Sequence, residues 1–191
     1  MFKVLFSWKN LLASLSVTGL LITGVPLLSF AQSGSGLTIF SGVSRDNLLD
    51  HFLDFNGQKN NRDRYRLRIP GKKLAGGASK FYIFYPDYFD GKFNVDLNPD
   101  KKPKKNPVRV SIGEGKKKRY LPIREVIWDK ENYLLEIELD EPLQESRKVE
   151  LVFSGVKNPD VGTYYFRCEV LPAADLPIRQ YIGTWIIGIN P

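Results

Sequence analysis

From Arg64 to the end of this chain, apolar side chains recur at every second position, and that period dictates extended backbone. Successive side chains of a strand point to opposite faces, so each run has one face built for burial and one for solvent. Tyr65, Leu67 and Ile69 alternate with arginines; Phe81, Ile83 and Tyr85 form one face of the next run, and Val108, Val110 and Ile112 form another. Tyr133, Leu135, Ile137 and Leu139 alternate with Leu134, Glu136, Glu138 and Asp140, and Val149, Leu151 and Phe153 repeat the pattern. Two last runs, 163–170 and 181–189, close the chain. Turn signals separate them: Pro70-Gly71, Asp90-Gly91, Gly113-Glu114-Gly115, residues 129–132 and Asn158-Pro159. Short strands with turns at this spacing predict an all-β sandwich or barrel of about eight to ten strands. Residues 99–107 read as a surface loop.

One local pattern selects the sandwich. Asp160-Val161-Gly162-Thr163-Tyr164 is similar to the Asp-x-Gly-x-Tyr corner that enters a late strand of immunoglobulin-like sandwiches, where the Tyr hydroxyl bonds back to the main chain. The structural residues are Asp160, Gly162 and Tyr164. Two positions on, where antibody domains carry a disulfide cysteine, stands Phe166, so packing replaces the bridge. Ahead of the strands, 37–40 reads as a first strand. A single helix is expected after it: Ser44 as N-cap, Asp46 in the first turn, and Leu48, Leu49, Phe52 and Leu53 at helical spacing up to about Phe55, ended by Asn56-Gly57.

The first 31 residues predict a destination. Lys3 and Lys9 flank the start, 11–28 is mostly apolar, and Ser29-Phe30-Ala31 places small residues before a cut ahead of Gln32. These are the parts of a secretory signal peptide, and Ser14, Ser16, Thr18, Thr23 and Pro26 dilute the run below what a membrane anchor needs. Cleavage leaves a short leader, 32–36, one domain, 37–191, and no transmembrane span; the compartment is periplasmic or extracellular. The formal net charge of +7 falls to about +5 on processing. Cys168 is the sole cysteine, so no internal disulfide forms, and alternation with Tyr164, Phe166 and Val170 puts it on an apolar face as a buried, inert thiol.

Several blocks together carry a whole-chain resemblance: 36–42 (GLTIFSG), 63–70 (DRYRLRIP), 85–91 (YPDYFDG), 126–129 (VIWD), 156–159 (VKNP) and 181–185 (YIGTW). They resemble a domain-of-unknown-function family of exported cyanobacterial proteins. The resemblance implies an exported protein from such an organism, and it brings no activity, cofactor or catalytic residue with it.

The most distinctive chemistry is a ladder. Arg62, Arg64, Arg66 and Arg68 alternate along one strand, so extended geometry puts four guanidinium groups on one face, roughly 7 Å apart. Guanidinium offers a planar fork to sulfate, carboxylate or phosphate, which suits an extended polyanion. The competing reading pairs the ladder with Glu136, Glu138, Asp140 or Glu150 across strands. Lys101, Lys102, Lys104 and Lys105 form one basic loop and Lys116, Lys117, Lys118 and Arg119 another, which a strand between them sets at opposite ends of the domain.

Catalytic signals are thin. His51 is the only histidine and would have to meet Cys168 in space to make a nucleophile pair. The usual zinc and copper ligand sets are missing, calcium would have only Asp87, Asp90 and main-chain oxygens without a loop pattern, and no cofactor or metal is expected. The reading is therefore a non-enzymatic exported binding or structural module of the cell envelope. Its partners would be an anionic envelope polysaccharide, lipid headgroups or another envelope protein, and not nucleic acid. The alternative is an envelope carbohydrate hydrolase using Asp87 and Asp90 in the aromatic, sugar-stacking loop at 85–93.

Overall fold

Alternation along Arg62–Ile69 sends Asp63, Tyr65, Leu67 and Ile69 inward, each essentially without solvent contact, and leaves the four arginines outside. This strand belongs to a computed structural model that describes residues 42–98, 100–144, 146–173 and 178–191. The expected signal segment, leader and strand at 37–40 lie outside the described residues.

The described residues form two antiparallel sheets of five strands each. The first contains β1 (His51–Leu53), β2 (Arg62–Ile69), β4 (Val108–Ile112), β5 (Arg119–Leu121) and β8 (Val149–Lys157), in the order β1-β2-β8-β4-β5. The second contains β3 (Ala78–Phe84), β6 (Ile123–Asp129), β7 (Leu134–Leu143), β9 (Gly162–Leu171) and β10 (Gln180–Ile189), in the order β10-β9-β3-β7-β6. The inner faces meet in one apolar layer whose largest buried side chains are Trp185, Tyr65, Phe81, Phe153 and Phe166. Even here the polar handles are satisfied. The Trp185 indole donates to the Arg68 carbonyl at 3.1 Å, and the Tyr65 hydroxyl donates to Asn158 Oδ1 at 2.8 Å.

The expected helix does not form. Arg45–Asn47 is a single 3-10 turn without a side-chain cap from Ser44, and the chain then extends into β1, pairing His51, Phe52 and Leu53 with Leu67, Arg66 and Tyr65. Leu48 bridges Thr184 and the Leu49 N–H donates to the Thr184 carbonyl at 2.9 Å. A helix of this length is marginal on its own, and edge pairing to both sheets satisfies the same main-chain groups while burying Leu49. Leu48 and Phe52 are left exposed, so the apparent apolar stripe never shared a face.

At the start of β9, the Tyr164 hydroxyl donates to the Asp160 carbonyl at 2.8 Å, and its ring packs edge-on against Phe89. Gly162 opens β9 beneath that ring, and Phe166 sits fully buried two positions on. Cys168 is buried, and burial pushes its thiol well above the ordinary cysteine range, so it stays protonated and unreactive.

Candidate functional site

The outer face of the first sheet gathers the charge. All four ladder arginines stand on β2, with β1 on one side and β8 on the other, and β4 and β5 beyond β8. Three of them meet carboxylates. Asp54 accepts from Arg66 at 2.6 and 2.9 Å and from Arg64 at 2.9 Å. Asp50 accepts from Arg68 at 2.8 Å, and Glu150 accepts from Arg66 and Arg68 at 3.3 Å and from Lys118. The hydrogen bond from Arg66 holds the Asp54 carboxyl below its ordinary range against the opposing effect of burial. Burial likewise pushes Glu150 upward, but Lys118, Arg68 and Arg66 together outweigh it and the net direction is down.

Glu150 was among the expected ladder partners. Glu136, Glu138 and Asp140 belong to the other sheet, where Lys80 holds Glu136 and Glu138 and Arg124 reaches Glu138 and Asp140. Asp50 and Asp54 take their place. The misread helix concealed them: Asp50, Phe52 and Asp54 share the period of two with the arginines opposite, which is the signal that identifies a paired edge strand.

Two arginines on this face have no carboxylate within ion-pair distance among the described residues. Arg62 donates only to the Gly155 carbonyl, at 3.2 Å. Arg109, on β4, was not singled out from the sequence, although its place between Val108 and Val110 turns it outward. Its guanidinium donates to the Asn106 carbonyl at 3.1 Å and to the Ser154 hydroxyl at 2.9 Å, and Arg64 Nε donates to that same hydroxyl at 3.3 Å. Burial first, and then the charges of Arg64 and Arg66, push the Arg109 pKa below the ordinary guanidinium value. Guanidinium remains charged regardless, so Arg109 is a half-buried cation repelled by Arg64 and Arg66, with Asp54, already held by those two arginines, offsetting this only in part. Arg62, Arg64 and Arg109 thus place guanidinium donors on Ser154 and Gly155.

The two lysine groups flank β4. Lys101, Lys102, Lys104 and Lys105 lie exposed in the loop that holds the 3-10 turn Pro103–Lys105. Lys116 and Lys117 lie on the 3-10 turn Gly115–Lys117, and Arg119 is exposed on β5. Lys118 alone joins the ladder, through Glu150. His51 sits on β1 with its pKa lowered by burial, and Asp90 lines an aromatic cleft while Asp87 is exposed. Among the described residues no group of three or more His, Cys, Asp or Glu side chains is placed to hold a metal ion.

On the outer face of the second sheet, Tyr82 and Phe84 are covered by arginines. The Arg179 guanidinium lies 3.8 Å from the Tyr82 ring centroid and that of Arg167 lies 4.5 Å from Phe84, so cation–π stacking screens this pair of aromatics.

Residues 37–189 match the model of the family described as protein of unknown function (DUF2808). The chain belongs to that family. No curated protein matches it. Among solved structures, this DUF2808 chain is similar to the bacterial hydrophobin BslA, with 13% identity, a TM-score of 0.44, and coverage of 74% of this chain and 92% of that one. It is also similar to the collagen-binding domain from a Staphylococcus aureus adhesin, at 9% identity and a TM-score of 0.40, covering 75% and 97%. An uncharacterized Nocardia farcinica protein with an immunoglobulin-like fold matches at 10% identity and a TM-score of 0.40, covering 75% and 99%.

Proposed function

We propose that this DUF2808 protein is an exported, non-catalytic binding module whose first sheet holds an anionic polysaccharide of the cell envelope. The observation that carries the reading is Arg109: a half-buried cation without a carboxylate, sharing the Ser154 hydroxyl with Arg64. Leaving such a charge unpaired is costly, and an incoming sulfate or carboxylate removes the cost while accepting two guanidinium forks. The ladder bounds the same site: Glu150 holds Arg66 and Arg68, while Asp54 occupies Arg64 and Arg66 and competes with an incoming anion for them. The loop lysines add long-range attraction without a fixed geometry.

Titration with dextran sulfate tests the reading. Affinity is expected to fall steeply between 0.05 and 0.3 M salt, where the screening length contracts below about 10 Å. Replacing Arg62 and Arg109 with Gln is expected to remove most of the binding, whereas replacing Lys101 and Lys102 changes it little. Equal loss from both pairs of substitutions would reduce the face to general surface charge.

Export rests on the N-terminal pattern. The mature chain is expected to begin at Gln32 and to fractionate away from membranes. Mass spectrometry of the native protein decides this, and an intact Met1 in the membrane fraction would contradict it.

A further inference from the structure

A cleft of about 370 Å³ opens beside β6, between the loop at 85–93 and the turn that joins β6 to β7. Its size falls in the range of small-molecule sites, roughly 300–1,000 Å³. Its floor is aromatic: Phe93 meets Trp128 edge-on with centroids 5.6 Å apart, and Tyr133 meets Tyr85 edge-on at 5.9 Å. Its rim is charged, with Asp90, Lys92 and Lys130 among the lining side chains. The Trp128 indole N–H is already committed to the Tyr85 hydroxyl at 2.8 Å, which fixes the plane of the ring. The Lys130 ammonium stacks on the Trp128 ring, 4.3 Å from the centroid, on an exposed side chain.

Tyr133 is the second observation. Its φ is +53°, in the left-handed region that glycine occupies without strain and that a bulky residue enters only at a cost. The position lies in the exposed β6–β7 turn, held by a hydrogen bond from the Tyr85 N–H to the Tyr133 carbonyl at 2.9 Å, and any residue could make that main-chain contact. The residue remains 41% exposed, so it is no core position whose full burial would offset the strain. Strain retained at a solvent-facing aromatic on the lip of a cleft is the mark of a functional contact.

We infer that the cleft between Trp128 and Tyr133 is a binding subsite for a neutral pyranose unit of an oligosaccharide. Aromatic faces match the apolar C–H surface of a sugar ring, and Asp90, Lys92 and Lys130 supply an acceptor and donors for its hydroxyls. This inference goes beyond the anionic face and does not depend on it. The two sites are neighbours nonetheless: Lys92 exchanges both main-chain hydrogen bonds with Lys157, at 2.8 and 3.0 Å, and Lys157 stands opposite Arg62 in the β2–β8 ladder.

Calorimetric titration with neutral hexasaccharides of glucose, xylose and N-acetylglucosamine tests the subsite. At least one is expected to bind, and Tyr133→Gly is expected to weaken that binding about tenfold while leaving Tm unchanged or higher, since glycine relieves the strained φ. Asp90→Asn, which keeps the shape of the rim, is expected to weaken it about threefold at constant Tm. The Arg62 and Arg109 substitutions are expected to leave it unchanged, so this site and the anionic face fail or survive separately. Absence of binding by all three sugars, or Tyr133→Gly and Asp90→Asn proteins that bind as tightly as the natural chain, would overturn the inference.

Discussion

Replacing Asp63 with Ala is expected to lower stability by about 4 kcal/mol. Asp63 stands at an inward position of β2 with 1% of its surface exposed. Its carboxylate accepts main-chain N–H bonds from Phe55 at 2.9 Å, from Gly57 at 2.8 Å and from Arg64 at 2.6 Å. Alanine would orphan all three donors, that of Gly57 in the interior and those of Phe55 and Arg64 partly covered, and an unsatisfied buried group costs about 1–3 kcal/mol. The turn they define, with positive φ at both Asn56 and Gly57, also delivers Asp54 to the arginines, so the substitution loosens the outer face from within. Asp63→Asn retains one acceptor oxygen and is expected to recover part of the loss. Chemical denaturation measures both, and an Asp63→Ala midpoint close to the natural one would show that the carboxylate does not organise this turn.

Asp54→Asn is expected to act in two directions at once, lowering stability by about 2 kcal/mol and raising affinity for dextran sulfate. The first follows from losing charge-assisted bonds to Arg66 and Arg64 at a carboxylate that is mostly covered. The second follows because two guanidinium groups next to Arg109 are released for an incoming anion. Acid should imitate the substitution. The folded-state pKa values of Asp54 and Glu150 lie below their ordinary values of 3.8 and 4.5, so their stabilising contribution is complete above those values and is lost as pH falls through the depressed ones. Thermal melts should therefore be level above about pH 5 and decline below pH 4, less steeply in Asp54→Asn. A variant with weaker polyanion binding than the natural protein would show that Asp54 organises the anion site and does not compete with the ligand.

Much of this architecture is legible from the period of two. The strands at β2, β3, β4, β7, β8, β9 and β10 fall where alternation and turn residues place them, because each buries one face and exposes the other. β1 was not legible as a strand. Leu48, Leu49, Phe52 and Leu53 fit a helical spacing, and only pairing with Arg66 and its neighbours on β2, distant in sequence, overrides that local pattern. The arginine ladder was visible, but whether it was free or paired was not, since two of its three counter-ions belong to that misread segment. Arg109 escaped notice for a different reason: a single cation in an apolar strand carries no local signal, and its lack of a carboxylate emerges only when β4 is set beside β8. Tyr133 looked like the start of an inward-facing row, and its positive φ instead places it in the turn.

The most direct test of the anionic face is a single substitution, Arg109→Gln, read for binding and stability together. If Arg109 awaits an external anion, the glutamine side chain keeps much of the packing and removes an uncompensated charge, so Tm should hold or rise while dextran sulfate affinity drops about tenfold and its salt dependence becomes shallower. If affinity is unchanged and Tm falls, the Arg109 guanidinium serves the Ser154 and Asn106 contacts alone, and the proposal that this sheet binds a polyanion is contradicted.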